Sequence, residues 1–373
     1  MSGSDQPARA GLIPVAGPER LRQRLLDYYR RCRRDLPWRR TRDPYRIWVS
    51  EVMLQQTTVT AVLPYYGAFL ERFPSVEALA KAGEEEVLAA WSGLGYYHRA
   101  RNLRRGAQHV VQQHGGRFPK SLEAALAVPG VGLYTASAIL SIAHDLALPV
   151  VDGNVRRVLA RLFALRGPRW RKDGPFYDRA EELLDPRHPG DWNQALMELG
   201  ATICTPRRPA CPACPLRRDC LALARGLVDR LPERRQRPAP RDVNVAAALV
   251  ERGGRILLVR RAEGRLLGRM WEIPQTGLES RGYADLVGEL RQKHGLEITA
   301  LGLLARARHA ITFRRIRVEA YRARLLRRPA ADPDRYTWAT PAEAAALPTS
   351  SLTKKLLRAL RAPQLPLALG DVP

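Results

Sequence analysis

A chain of 373 residues with 62 Lys and Arg against 37 Asp and Glu carries a formal charge of +25. It is long enough for two domains, and both of its halves are basic, as a shared polyanionic partner requires. Its 45% hydrophobic content excludes wholesale disorder, and no stretch approaches the roughly 20 apolar residues of a membrane helix. The opening MSGSDQPARAGLIPVAGPER lacks the apolar core of a secretory signal. A cytoplasmic, reducing location without disulfides is therefore expected.

Residues 1–17 read as disordered. From 18 to 225 apolar residues recur at three- and four-residue spacing, which predicts an all-helical domain punctuated by short Gly/Pro turns. Within it, DPYRIWVSEVMLQQTTVTAVLPYY (43–66) sets Glu51 among Trp48, Val49, Val52, Met53 and Leu54. A carboxyl in such company has a raised pKa and suits a general acid; the alternative is a glutamate turned to solvent. Cys32 stands alone on a predicted helix and is read as packing.

SLEAALAVPGVGLYTASAILSIAHD (121–145) predicts a helix, a sharp turn over Pro129-Gly130-Val131-Gly132, and a second helix starting near Tyr134. Gly130 and Gly132 permit the turn and let backbone N–H groups approach a DNA phosphate at the positive end of the new helix. An ordinary helical corner is the competing reading. In VVDGNVRRVLARL, Asp152 precedes a helix and reads either as its N-cap or, in the company of Glu51, as a second chemical carboxylate.

Four of the five cysteines crowd into CTPRRPACPACPLRRDC (204–220), spaced Cys204-x6-Cys211-x2-Cys214-x5-Cys220. Structural zinc usually takes two tight pairs separated by a longer loop, whereas one tight pair with two looser arms can wrap a [4Fe–4S] cluster. The spacing favours the cluster and leaves zinc standing.

Residues 226–242 are rich in Pro and Arg and read as a linker. The texture then becomes α+β over 243–362, ahead of a tail at 363–373. VNVAAALVE (243–251) and RILLVRR (255–261) predict strands around a Gly-Gly turn. In FRRIRVEAYRARLL (313–326), Ile316, Val318 and Ala320, with Arg322 in phase, alternate with outward arginines. Residues 282–294 and 351–361 predict helices.

The motifs taken together resemble the MutY-type adenine DNA glycosylases. The resemblance rests on RDLPWR (34–39), DPYRIWVSEVMLQQT (43–57), WSGLGYYHRARNL (91–103), VPGVGLYTA (128–136), VVDGNVRRVLAR (150–161), WNQALMELGATICT (192–205) and the cysteine loop, in that order. It implies a multidomain chain: an all-α helix–hairpin–helix glycosylase domain, shared with endonuclease III, with an iron–sulfur loop, then a Nudix-like α+β domain carried by RILLVRR and RMWEIPQTGLES (269–280). It also implies that Cys204, Cys211, Cys214 and Cys220 hold a [4Fe–4S] cluster rather than zinc. Relatives with lyase activity carry Lys where this chain has Tyr134, and tyrosine cannot form their Schiff base, so a monofunctional enzyme leaving an abasic site is implied.

The roles implied by the resemblance follow. Glu51 would protonate the adenine and later activate water, and Asp152 would stabilise or capture the oxocarbenium ion. Tyr134 and Asn154 would position Asp152 and the sugar. Gln194 would read the flipped adenine, with Trp38 and Arg39 nearby. Gln56 and Tyr96 would enter the base stack, although one ring of the Tyr96-Tyr97 pair is expected to pack in a core. Arg207 and Arg208, with Gly130 and Gly132, would meet DNA phosphates. The expected partner is double-stranded DNA with 8-oxoguanine:adenine or G:A mispairs, bound by a nucleoid-associated monomer with no membrane contact. The second domain departs from the family pattern twice. Gln292, Lys293 and His294 stand where a working Nudix hydrolase places metal-binding glutamates. Ile311-Thr312-Phe313 replaces the usual Phe-Ser-His loop, leaving Thr312 as the hydroxyl that would face 8-oxoguanine. Competing readings are an endonuclease III-like enzyme acting on oxidised pyrimidines and a non-catalytic iron–sulfur DNA sensor.

Overall fold

A computed structural model describes residues 17–233, 239–262, 268–311, 313–327 and 332–361. The expectations for residues 1–16, for Thr312 and for the tail at 363–373 lie outside the described residues. The chain divides into two compact units, 1–81 with 102–236, and 82–101 with 237–373.

The first unit holds α1 (Pro18–Cys32), α2 (Pro44–Leu54), α3 (Val59–Arg72) and α4 (Val76–Lys81). α5 (Glu84–Ala90) belongs to the second unit, and α6 (His98–His114) starts there and continues in the first. α7 (Leu122–Ala127), α8 (Leu133–His144), α9 (Gly153–Leu162), α10 (Gly174–Leu183), α11 (Pro189–Thr202) and α12 (Leu221–Ala224) complete the first unit. Leu21, Leu25 and Tyr29 of α1 pack with Val155, Val158 and Leu159 of α9 and Trp192, Leu196 and Leu199 of α11 in one core. α2 is started by Asp43, whose carboxylate accepts the Tyr45 N–H, with Pro44 preset for the first turn. It buries Ile47, Trp48, Val49, Val52 and Met53 and lies against α8. Cys32 corrects the packing expectation: as the last residue of α1 it is exposed, beyond the reach of the core that holds Leu25 and Tyr29.

The turn between α7 and α8 forms as the sequence predicts. Gly130 has φ +82°, and a Cβ there would stand 2.5 Å from Cβ of Asn102, so only glycine fits.

The second unit is built on a mixed sheet of β1 (Arg241–Arg252), β2 (Arg255–Arg260), β3 (Trp271–Glu272), β4 (Ile298–Ile311), β5 (Arg314–Leu325) and β6 (Tyr336–Ala339). The order is β3-β2-β1-β5-β4, with β6 also on β2. β1 runs parallel to β5, and every other pairing is antiparallel. α13 (Tyr283–His294) covers one face through Leu286 and Leu290, against Ala246, Ala248 and Val250. On the other face Leu352, Leu356 and Leu357 of α15 (Ser351–Arg361), with Ala344 of α14 (Pro341–Ala346), meet Val243, Val245, Ile316 and Val318. Helices on both faces explain why β1 reads as a continuous apolar run rather than an alternating one. Arg322, in phase with the buried Ile316 and Val318, is itself exposed.

Ala82–Arg101 falls in the same compact unit as the sheet. Tyr97 Oη and Ser92 Oγ both donate to the Thr349 carbonyl, at 3.0 and 3.3 Å, and Lys354 Nζ returns a bond to the Ser92 carbonyl at 2.8 Å. Arg101 bonds the Gly268 carbonyl. Among the described residues no helix is long and apolar enough to cross a membrane.

Candidate active site

Three helices bring two carboxylates together. α2 supplies Glu51, whose residue is 4% exposed and whose Oε2 accepts a 2.6 Å bond from Tyr134 Oη, in the first turn of α8. Burial pushes the Glu51 carboxyl up to about 7. The Tyr134 bond and the Arg39 charge oppose that rise, and the charge of Asp152 adds to it. Burial likewise holds the Tyr134 phenol well above its ordinary range. At neutral pH this geometry leaves Glu51 divided between its acid and carboxylate forms, able both to give and to take a proton.

Asp152 caps α9. Its Oδ1 accepts the Val155 N–H at 2.7 Å and its Oδ2 accepts the Asn154 side-chain amide at 2.8 Å. Burial raises its pKa, and these bonds together with the Arg157 charge hold it back. Asp152 is the N-cap of α9, and its carboxylate stands close enough to Glu51 for their charges to interact.

Arg157 carries this arrangement further, and its part was not foreseen. Its Nη2 donates to Asn154 Oδ1 at 2.8 Å and to the Gly200 carbonyl at 2.7 Å, while its Nε donates to the Cys204 carbonyl at 2.7 Å. The residue that positions Asp152 is thus tied to the first cysteine of the loop. Gly200 lets α11 come this close, since a Cβ there would lie 2.6 Å from Cβ of Asn154. An arginine one turn before Arg161, on the same face of the helix, was the available sequence signal.

Gln194, on α11, is half-buried and donates to the Gly190 carbonyl at 3.3 Å. One turn on, Met197 Sδ lies 3.7 Å from Tyr134 Oη, which places that face of α11 at the site. Glu198, which sequence reasoning passed over, is fully enclosed. It accepts Nε and Nη2 of Arg34 at 2.8 and 2.7 Å and Nη2 of Arg39 at 2.8 Å. Despite burial, these two guanidiniums hold its carboxyl at about 2. Trp38 is buried edge-on against Tyr66, ring centroids 5.3 Å apart. Gln56 follows α2 with φ +56° and is exposed, a rare backbone conformation for a residue with a side chain. Gly132, before the first residue of α8, has open space where a Cβ would be.

In the second unit Tyr96 is 41% exposed with φ +48°, and its neighbour Tyr97 is the member of the pair that packs inward. Tyr96, His98, Arg101, Arg261, Gln275 and His309 are among the residues that line a cavity of about 470 Å³ within that unit. Thr312 lies outside the described residues. Next to it, Phe313 is 39% exposed with the Arg314 guanidinium 4.7 Å from its ring centroid.

The four loop cysteines line one small cavity of about 30 Å³, together with Arg161 and Arg217. Burial first, and the charges of the neighbouring cysteines after it, push the Cys214 thiol up to about 12. Among the described residues no group of three or more His, Cys, Asp or Glu side chains is placed to hold a metal ion. Arg161, 3% exposed, donates to Cys204 Sγ at 3.3 Å and to the Thr205, Val228 and Leu231 carbonyls, bracing the loop from within. Arg207 and Arg208 are exposed on the loop, and the buried Asp219 pairs with Arg24 of α1.

The comparisons with known proteins agree with this geometry. Residues 49–174 match the model of the HhH-GPD superfamily base excision DNA repair proteins, and residues 245–359 match the NUDIX domain. A thermostable thymine-DNA glycosylase of known structure is similar over 56% of this chain and 97% of its own, with TM-score 0.51 and 31% identity. The adenine DNA glycosylase of Homo sapiens is 38% identical over 71% of this chain and 59% of its own length. The Mus musculus adenine DNA glycosylase is 37% identical, over 92% of this chain and 78% of the mouse protein. At that identity, over more than two thirds of both the chain and the mouse protein, the chain belongs to the adenine DNA glycosylase family.

Proposed function

We propose that the protein hydrolyses the N-glycosidic bond of adenine mispaired with 8-oxoguanine or guanine in duplex DNA, leaving an abasic site. The observation that carries this reading is the buried Glu51, bonded from α8 by a tyrosine rather than a lysine, with Asp152 close enough for their charges to interact. Glu51, protonated in part near neutral pH, gives its proton to a ring nitrogen of the adenine. The C1′–N bond then breaks and its electron pair leaves with the base. The Asp152 carboxylate, fixed by Asn154 and the Val155 N–H, faces the positive sugar carbon and stabilises it. Water adds to that carbon while the Glu51 carboxylate takes its proton, restoring the starting acid. Tyr134 Oη, donating to Glu51, moderates the rise in its pKa and offers no amine for a Schiff base.

The target base must leave the stack to reach enclosed carboxylates. Exposed Gln56 and Tyr96, each with a positive φ, are the side chains we assign to filling the opened duplex. Gln194, on the face of α11 that carries Met197, is assigned to the adenine edge, with Arg39 and Trp38 shaping the pocket wall. Recognition of the opposite base belongs on this reading to the second unit, where the 470 Å³ cavity offers donors and flat rings to a purine. Thr312 remains assigned there from sequence. Cys204, Cys211, Cys214 and Cys220 would hold a [4Fe–4S] cluster, whose irons would supply the positive charge that stabilises four neighbouring thiolates. The exposed Arg207 and Arg208, with the Gly130–Gly132 turn, are assigned to phosphates. DNA binding by a monomer would place the protein at the nucleoid.

The test uses duplexes carrying adenine opposite 8-oxoguanine, opposite guanine and opposite thymine. Release of free adenine from the first two only is expected, and no released base from any of them overturns the reading.

A further inference from the structure

The outward arginines of β5 take no part in the site described above. On that face β1, β5 and β4 lie side by side, and their register sets the residues there in three rows: Asp242–Arg315–Ala310, Asn244–Arg317–Arg308 and Ala246–Glu319–Arg306. The first row is neutralised, since Arg315 bonds both oxygens of Asp242 at 2.9 and 3.0 Å. So is the third, where Arg306 Nε meets Glu319 Oε1 at 3.0 Å. The middle row holds two arginines and no acid. Arg317 and Arg308 are directly opposed and exposed, and among the described residues neither has an ion pair. Directly opposed residues of an antiparallel pair have Cβ atoms about 4.5–5.5 Å apart, and like charges there are destabilising. The strands place acids one row above and one row below, yet the middle position on β1 is the neutral amide Asn244, also exposed.

We propose that the row Asn244–Arg317–Arg308 is a phosphate-binding site for duplex DNA on the sheet of the second unit. Two guanidinium forks and one amide form a compact set of donors matched to the oxygens of a phosphodiester. An anion between the forks removes the repulsion that the bare row carries. Charge complementarity selects DNA as the occupant in a chain of +25 whose family acts on it. The site needs no lesion, so it stands apart from the adenine reading.

The test measures binding of the full chain to an undamaged duplex as a function of salt. Removing one neutralised phosphate reduces the slope of log K against log salt by about 0.9. Arg308→Ala with Arg317→Ala is expected to lower the slope by about 0.9 and weaken binding roughly tenfold at physiological salt. Arg308→Lys with Arg317→Lys should restore most of the slope. Asn244→Asp guards against misfolding as an explanation: it supplies the missing acid, so it should raise the melting temperature while lowering the slope by about 1. Wild-type slope and affinity in the double alanine variant, or a stabilised Asn244→Asp protein that binds DNA normally, would overturn the proposal and leave the row to an acidic protein surface.

Discussion

Carboxylates are buried in both units, and their surroundings differ in one respect. Glu51 and Asp152 of the first unit accept hydrogen bonds from neutral groups alone: a phenol, an amide and a backbone N–H. Glu272 of the second unit, as enclosed as Glu51, is gripped by Arg261 Nε and Nη2 at 3.0 and 2.7 Å and by Gln275 at 2.7 Å. Glu289 accepts the Gly277 N–H at 2.8 Å and pairs with Lys293. A cation bonded to a buried carboxylate favours its charged form and ties it into the structure, whereas burial without one raises its pKa. Glu198 marks the same divide within the first unit, its two arginines holding it at about 2 while Glu51 is held at about 7. The departure noted in sequence acquires a physical meaning here: Lys293, where a Nudix hydrolase carries a metal-binding glutamate, supplies the charge that neutralises Glu289.

The strongest way to break this comparison is Glu51→Gln. The single-turnover rate of adenine release should fall about 10³-fold, while affinity for the mispaired duplex changes by less than about threefold. A parallel loss of binding would make Glu51 a structural residue like Glu272. The same substitution tests the energetics. Glu51 has an ordinary pKa of 4.5 and a folded value of about 7, so the folded state holds the proton more tightly. Stability therefore falls as pH rises from about 4.5 to about 7, and the full cost, on the order of 3 kcal/mol, is present above that. Denaturant unfolding of Glu51→Gln should show that gain at pH 8 and none at pH 4. Tyr134→Phe removes a bond that favours the Glu51 carboxylate, so the alkaline limb of the rate profile should move to higher pH. An unmoved limb would detach the phenol from the proton transfer. The smallest effect is expected for Lys293→Met, about 0.5–1 kcal/mol of stability because the pair is partly solvated, with adenine release unaltered.

Local signals made much of this molecule legible in its sequence. Asp43-Pro44 starts α2, Asp152 starts α9, and Pro129 to Gly132 can only turn, so the elements bearing Glu51, Asp152 and Tyr134 follow from short-range chemistry. The two strands around Gly253-Gly254 are equally local. What escaped depends on partners far apart in the chain. Nothing near Glu198 announces Arg34 and Arg39, and nothing in WSGLGYYHRARNL announces that Ser92 and Tyr97 bond the Thr349 carbonyl. The parallel pairing of β1 with β5, which creates the unneutralised arginine row, is likewise a matter of register across more than 70 residues. Arg157 was visible only as one of three arginines on α9, and its bonds to Asn154 and to the Cys204 carbonyl exist only once α9 and α11 meet at Gly200.

The measurement that bears most directly on the central claim is the pH dependence of single-turnover adenine release from the 8-oxoguanine:adenine duplex. A buried, uncompensated Glu51 acting as the acid predicts that the rate constant declines above about pH 7, with that decline absent from the residual activity of Glu51→Gln. A rate constant that stays level to pH 9, or a decline that survives in Glu51→Gln, would contradict it.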